Sequence, residues 1–181
     1  MVDSFQRSDI DGVRRHALER HSDHRGELVE LLVDDWFEDF NAVQWNYLRS
    51  EANTLRGFHC HVKHVDVVMP LAGEVVIGLK DLRDDSPTLG RSEQFTVMPS
   101  SEAILIPPGV GHGFYFPSTS VLVFAVSRRW DPDDELRCAW DDPDLGLEWG
   151  CSDPRLSDGD RVGGTLADLR ADVRRRGLRL V

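Results

Sequence analysis

Three histidines and an aspartate fall within eight residues of this chain, in the stretch His59-Cys60-His61-Val62-Lys63-His64-Val65-Asp66. In an extended segment alternate side chains share a face, so His59 and His61 point together while Cys60 points away. Two neighbouring imidazoles can hold a metal ion, or one can act as a base with the other beside it. A second stretch, Ile104 to Phe116, runs from an apolar segment through a Pro-Pro-Gly turn to His112. If His59, His61, Asp66 and His112 converge, they can ligate Fe, Mn, Ni or Zn. If they do not, a histidine near neutrality remains available to take a proton.

The elements that must position these groups read as strands. Ala42–Leu48 is aromatic and β-branched; Val65–Leu71 and Glu74–Leu82 are joined at Ala72-Gly73; Gln94–Met98, Ala103–Ile106, Gly113–Phe116 and Val121–Val126 follow. A turn at Arg25-Gly26 leads into an earlier strand, and residues 1–20 read as a polar N-terminal arm. Short strands at close, even spacing predict an all-β sandwich or barrel. After Trp130 the chain becomes an acidic, proline-broken loop. A C-terminal helix is expected over 165–177, with Thr165 and Asp168 as a capping box and arginines at its end.

The length of 181 residues suits one domain, 1–181. A formal net charge of −11 argues against nucleic acid or an acidic membrane as partner. Any anionic substrate must then meet local arginines. Three irregularly spaced cysteines fit a reducing compartment. No apolar run is long enough to span a bilayer and the first residues lack a signal-peptide core, so a cytoplasmic location is expected.

The spacing H-x-H-x4-D-x6-G, then P-x-G-x2-H, resembles the two metal-binding motifs of the cupin superfamily, with aspartate for the usual glutamate. From about His21 onward the chain is also similar to the dTDP-4-dehydrorhamnose 3,5-epimerase family. The matching pieces are D-H-R-G, Q-W-N, L-R-G-F-H, D-L-R-D-D-S-P-T-L-G-R, I-P-P-G-V-G-H-G-F, W-D-P, L-E-W and L-S-D-G-D. The resemblance implies a double-stranded β-helix, the cupin jelly-roll barrel, with a short C-terminal helix. It implies an isomerase that needs no cofactor, acts on a 4-keto nucleotide sugar, and forms a homodimer sharing N-terminal strands. It places His59 as catalytic base and Asp160 as the carboxylate that orients it. Arg25, Gln44, Asn46, Arg56, His112 and Trp130 fall on substrate-binding positions, Trp130 replacing a tyrosine.

Two departures weigh against a standard epimerase. The tyrosine that serves the family as acid is Phe124 here, and the lysine that stabilises the enolate is Asp66. His61 and Asp66, which the epimerase does not require, are what a metal site needs beyond His59 and His112. Metal-free readings also exist. His61 can be a hydrogen-bonded wall residue, as in the related sugar 3,4-ketoisomerases with their similar R-G-x-H-x-H stretch. Asp66 can cap a turn or pair with Lys63, and His64 is expected at the surface. Three functions therefore stand open: a sugar-nucleotide epimerase or isomerase, a metal-dependent cupin enzyme, and a binding module that has lost its chemistry.

Overall fold

The computed structural model describes residues 5–178. The strands, in chain order, are β1 (Phe5–Arg7), β2 (Arg14–Ala17), β3 (Arg20–Asp23), β4 (Gly26–Val29), β5 (Gln44–Ser50), β6 (Thr54–Cys60) and β7 (Asp66–Ala72), then β8 (Val75–Asp81), β9 (Ser92–Val97), β10 (Glu102–Ile106), β11 (Val110–Phe116), β12 (Ser120–Val126) and β13 (Leu136–Arg137). Two helices close the chain, α1 (Asp158–Arg161) and α2 (Leu166–Arg176). One sheet runs β1-β2-β10-β7-β12-β5 and the other β13-β6-β11-β8-β9; β3 and β4 form a separate hairpin. This is the jelly-roll barrel that the sequence leads one to expect.

The barrel interior follows from strand parity. Val68, Ile104, Ile106 and Leu122 of the first sheet share one buried cluster with Val75, Ile77, Leu79, Val110 and Phe116 of the second. The odd-numbered neighbours Val67, Met69, Ala103, Leu105 and Ala125 face the other way, onto Phe37 and Phe40. Both faces of β7 and β10 are thus covered, which is why their sequences read as unbroken apolar runs without polar alternation. Full burial of each such side chain contributes about 1.5–3 kcal/mol.

The arm expected over residues 1–20 is integral to the sheet where it is described. β2 pairs with β10 along Arg14–Ala17, and the nearby Ile10 and Val13 enter the barrel core. Residues 1–4 lie outside the described part. Helix α2 buries Leu166, Leu169 and Val173, spaced as one helical face, against a cluster that includes Trp149 and Leu136. Its capping box is formed as expected: Thr165 Oγ1 accepts from Asp168 N at 3.1 Å, and Asp168 Oδ2 accepts from Thr165 N at 3.2 Å. Among the described residues no helix is long and apolar enough to cross a membrane.

Candidate active site

Cross-strand register builds the site. On the first sheet Gln44 stands opposite Val126, and Val126 opposite Asp66; one step along, Asn46 faces Phe124 and Phe124 faces Val68. Side chains of one parity on β5, β12 and β7 therefore form rows on a single wall. On the second sheet β6 and β11 set His59 opposite His112, and Arg137 of β13 opposite His59. The two walls enclose a cavity of about 360 Å³.

Gln44, Asn46, Arg56, His59, His61, Asp66, His112, Trp130 and Asp160 all line this cavity, as does Phe124. Arg25 does not. It lies at the exposed turn of the β3–β4 hairpin, bonded to Asp23 at 2.6 Å, because that hairpin pairs only with itself. Arg56 Nε donates to Ser50 Oγ at 3.0 Å. Gln44 Nε2 donates to Asn46 Oδ1 at 2.8 Å and its Oε1 accepts from Trp130 N at 3.2 Å, so this polar row is mutually fixed.

His59 is held at both ring nitrogens. Nε2 lies 2.6 Å from Asp160 Oδ1, and Nδ1 lies 3.0 Å from Glu135 Oε1. Burial disfavours the charged ring, but the bonds and charges of Asp160 and Glu135 outweigh it and push the pKa of His59 up to about 9. The same contacts overcome burial at the two carboxylates and hold both below their ordinary range. Helix α1 presents Asp160 through a cap in which Ser157 Oγ accepts from Asp160 N at 3.1 Å. Glu135 Oε2 accepts from Trp130 Nε1 at 2.9 Å, tying that ring to the dyad.

Beside this dyad lies a second cluster. His61 stacks on His64 at 4.2 Å between ring centroids and stands 5.2 Å from His112. His64, expected at the surface, is buried: its Nδ1 is 3.3 Å from Asp134 and its Nε2 3.6 Å from Asp66. Lys63 pairs with Asp131 at 2.6 Å, leaving Asp66 to the histidines. Burial, partly offset by Asp66, pushes the pKa of His112 down to about 4, so this ring is neutral. Of the four metal ligands expected from the sequence, the structure gathers His61, Asp66 and His112. His59 stays with its two carboxylates.

Sequence reading passed over Glu135, Asp134 and the burial of His64. Glu135 sits in the run D-P-D-D-E, which reads as a solvated acidic loop and bears no spacing relation to His59. Only the pairing of β13 with β6 brings it there.

The family model described as dTDP-4-dehydrorhamnose 3,5-epimerase matches residues 7–168. The spore coat polysaccharide biosynthesis protein SpsL of Bacillus subtilis is 35% identical over 147 residues, 77% of this chain and 96% of that protein. Among solved structures, the rmlC epimerase of Mycobacterium tuberculosis superposes with a TM-score of 0.86 at 27% identity, covering 93% of this chain and 90% of the other. The 3'-monoepimerase ChmJ of Streptomyces bikiniensis, in complex with dTDP-quinovose, superposes at 0.83 with 29% identity, covering 94% and 90%. With its barrel, its cavity and a family match over nearly the whole length, this chain belongs to the dTDP-4-dehydrorhamnose 3,5-epimerase family of sugar-nucleotide isomerases.

Proposed function

We propose that His59 removes the proton α to the ketone of a 4-keto nucleotide sugar, with Asp160 holding the ring for that step. The observation that carries this reading is the 2.6 Å contact between His59 Nε2 and Asp160, inside a cavity lined by the arginines Arg56 and Arg137. With Nε2–H donating to Asp160, the lone pair of Nδ1 receives the substrate proton. The electron pair of the broken C–H bond moves to the ketone oxygen, giving an enolate. Glu135 lies 3.0 Å from that nitrogen, so an entering sugar must displace it, and the Nδ1 proton passes to the departing carboxylate or to solvent before the base is free. Trp130, more than half exposed at the mouth, offers a stacking face to the nucleotide base. These proton transfers call for no cofactor.

The working unit we propose is a homodimer. Strand β5 is a sheet edge whose inward row Gln44, Asn46, Leu48 lines the cavity, while the outward row leaves Trp45 and Tyr47 exposed at 51% and 68%. The hairpin that carries Arg25 also exposes Leu28. Docking the hairpin of one copy on the β5 edge of another would cover both patches and carry Arg25 toward a cavity it does not reach in its own chain. Three cysteines, odd in number and irregularly spaced, support a reducing, cytoplasmic setting.

The test is solvent exchange. Incubated with dTDP-4-keto-6-deoxyglucose in deuterium oxide, the protein should introduce deuterium α to the ketone, read by mass spectrometry and NMR, and His59→Asn should not. Exchange no faster than in His59→Asn, with the sugar nucleotide still bound, would mark a binding module without chemistry.

A further inference from the structure

We infer that His61, Asp66 and His112 form a binding site for one divalent transition-metal ion in the wall of the cavity, a site that the proton transfer at His59 does not require. Their candidate ligand atoms all lie within 4.8 Å of one another, and all three residues are at least nine-tenths buried. They come from separate places: the residue just past β6, the first residue of β7 and the middle of β11. The barrel holds those backbones, so little ordering remains to be done when an ion arrives.

The hydrogen bonds fix what each residue offers. The carbonyl oxygen of Asp134 lies 3.0 Å from His61 Nδ1, and that of Val110 lies 3.3 Å from His112 Nδ1. A carbonyl can only accept, so each Nδ1 carries its hydrogen and each Nε2 is the nitrogen whose lone pair can be offered to a metal. Two lone pairs and a carboxylate then crowd one buried volume. Three acceptors share it, and a cation satisfies them together. The backbone carbonyls behind the two rings are the outer support that orients imidazole ligands in metal sites.

A neighbouring group, His61, His64 and Asp134, does not compete on equal terms. The oxygens of Asp134 already accept from the backbone of Val62 and Lys63, each at 3.1 Å, and its carbonyl uses the only other nitrogen of His61. Asp134 braces the loop and does not line the cavity, whereas His61, Asp66 and His112 all do. His59 is no ligand, since both its nitrogens are engaged.

Two imidazoles and one carboxylate suit Zn, Fe, Ni, Mn or Co better than Mg or Ca, and three protein ligands leave positions open. A sugar oxygen can take one, which would place a cation in a wall where Asp66 brings a negative charge and Phe124 none. That contact with a sugar rests on the functional reading above; binding of the ion does not.

The experiment uses full-length, tag-free protein stripped with EDTA and titrated with Zn²⁺ by calorimetry and with Co²⁺ by visible absorption, no sugar present. Uptake should saturate at one equivalent, with ligand-field bands for Co²⁺ and a rise in Tm on loading. Asp66→Asn and His112→Gln should each weaken binding about 10-fold or more, and His64→Gln by less. Melting curves of the stripped variants identify any that fail to fold, and the wild-type titration stands without them. Sub-stoichiometric uptake with unmoved Tm overturns the inference. So does full binding by folded Asp66→Asn with loss in His64→Gln, which would put the ion at Asp134. Zinc uptake without sugar exchange keeps the metal site and removes the epimerase reading; exchange by metal-free protein that takes up no zinc does the reverse.

Discussion

Glu135 Oε1 stands 3.0 Å from Nδ1 of His59, on the ring nitrogen opposite the one that Asp160 holds. A base flanked in this way is well oriented but already charged, since its two carboxylates push its pKa up to about 9. At neutral pH His59 is then an imidazolium, and substrate must displace Glu135 while the Nδ1 proton passes to that carboxylate or to solvent. Without that displacement the ring has no lone pair to offer.

Removing the Glu135 charge should therefore lower the pKa of His59. In metal-free Glu135→Gln the ring should titrate below about 9, read by NMR of the His59 ring protons. The sign for stability follows. The folded pKa lies above the unfolded value of about 6.5, so the contribution is complete below that value and is lost as pH rises toward 9. In the variant the contribution should be smaller and its loss complete at lower pH. A His59 titration unmoved by the substitution would show that Asp160 alone sets it.

Asp160→Asn keeps the shape of the carboxylate but removes the charge that orients and charges the ring. Deuterium exchange α to the ketone should fall by roughly 10²–10⁴-fold, the range of a general base, with KM for the sugar nucleotide little changed. A comparable rise in KM instead would assign Asp160 to substrate binding.

The fold was legible where both strand faces are buried or where turn residues punctuate, as in Val65–Leu71 and at Ala72-Gly73. One part of the cavity wall was legible from parity, because His59 and His61 must share a side; Gln44 and Asn46 were placed there by family resemblance. Three things were not legible. Glu135 reaches His59 through the short β13 pairing, which leaves no periodic signal in two residues. His64 reads as exposed because a charged loop surrounds it, yet Asp134 and Asp66 draw it inward. And Arg25 matches a binding motif while its own chain holds it in solvent.

That last mismatch makes the assembly testable. Tyr47→Asp puts a charge on the outward face of the β5 edge, 68% exposed in one chain, without touching the cavity row. The wild type should sediment as a dimer and Tyr47→Asp should shift toward monomer, with a raised KM if Arg25 is supplied across the interface. A monomeric wild type with full exchange activity would end the shared-hairpin arrangement.

Gly78 and Gly113 stand opposite each other on β8 and β11, and the Trp149 ring lies across both. A Cβ at Gly78 would come within 2.6 Å of Trp149 Cη2 and 2.9 Å of Leu147 Cδ1. Gly78→Ala should cost about 1–3 kcal/mol, the range for overpacking a core, seen as a lower Tm. Trp149→Leu in the same background should recover part of it, since contacting residues are not additive.

Phe124 bears on stereochemistry. Inverting a carbon requires a proton from the face opposite the base, and the side chain at this point of the cavity wall, between Asn46 and Val68, has none to give. The wild type should exchange an α-proton with retention, or invert one centre slowly, and should not invert C3 and C5 together at a useful rate. Phe124→Tyr places a hydroxyl on the same wall and should raise the inversion rate, by up to roughly the 10²–10⁴-fold of a general acid, while leaving the exchange rate at His59 nearly unchanged. The separation of the two rates is the informative result: exchange reports the base, inversion the acid. Efficient double inversion by the wild type would mean that another group donates the second proton, and the buried histidines beside Asp66 would be the first place to look.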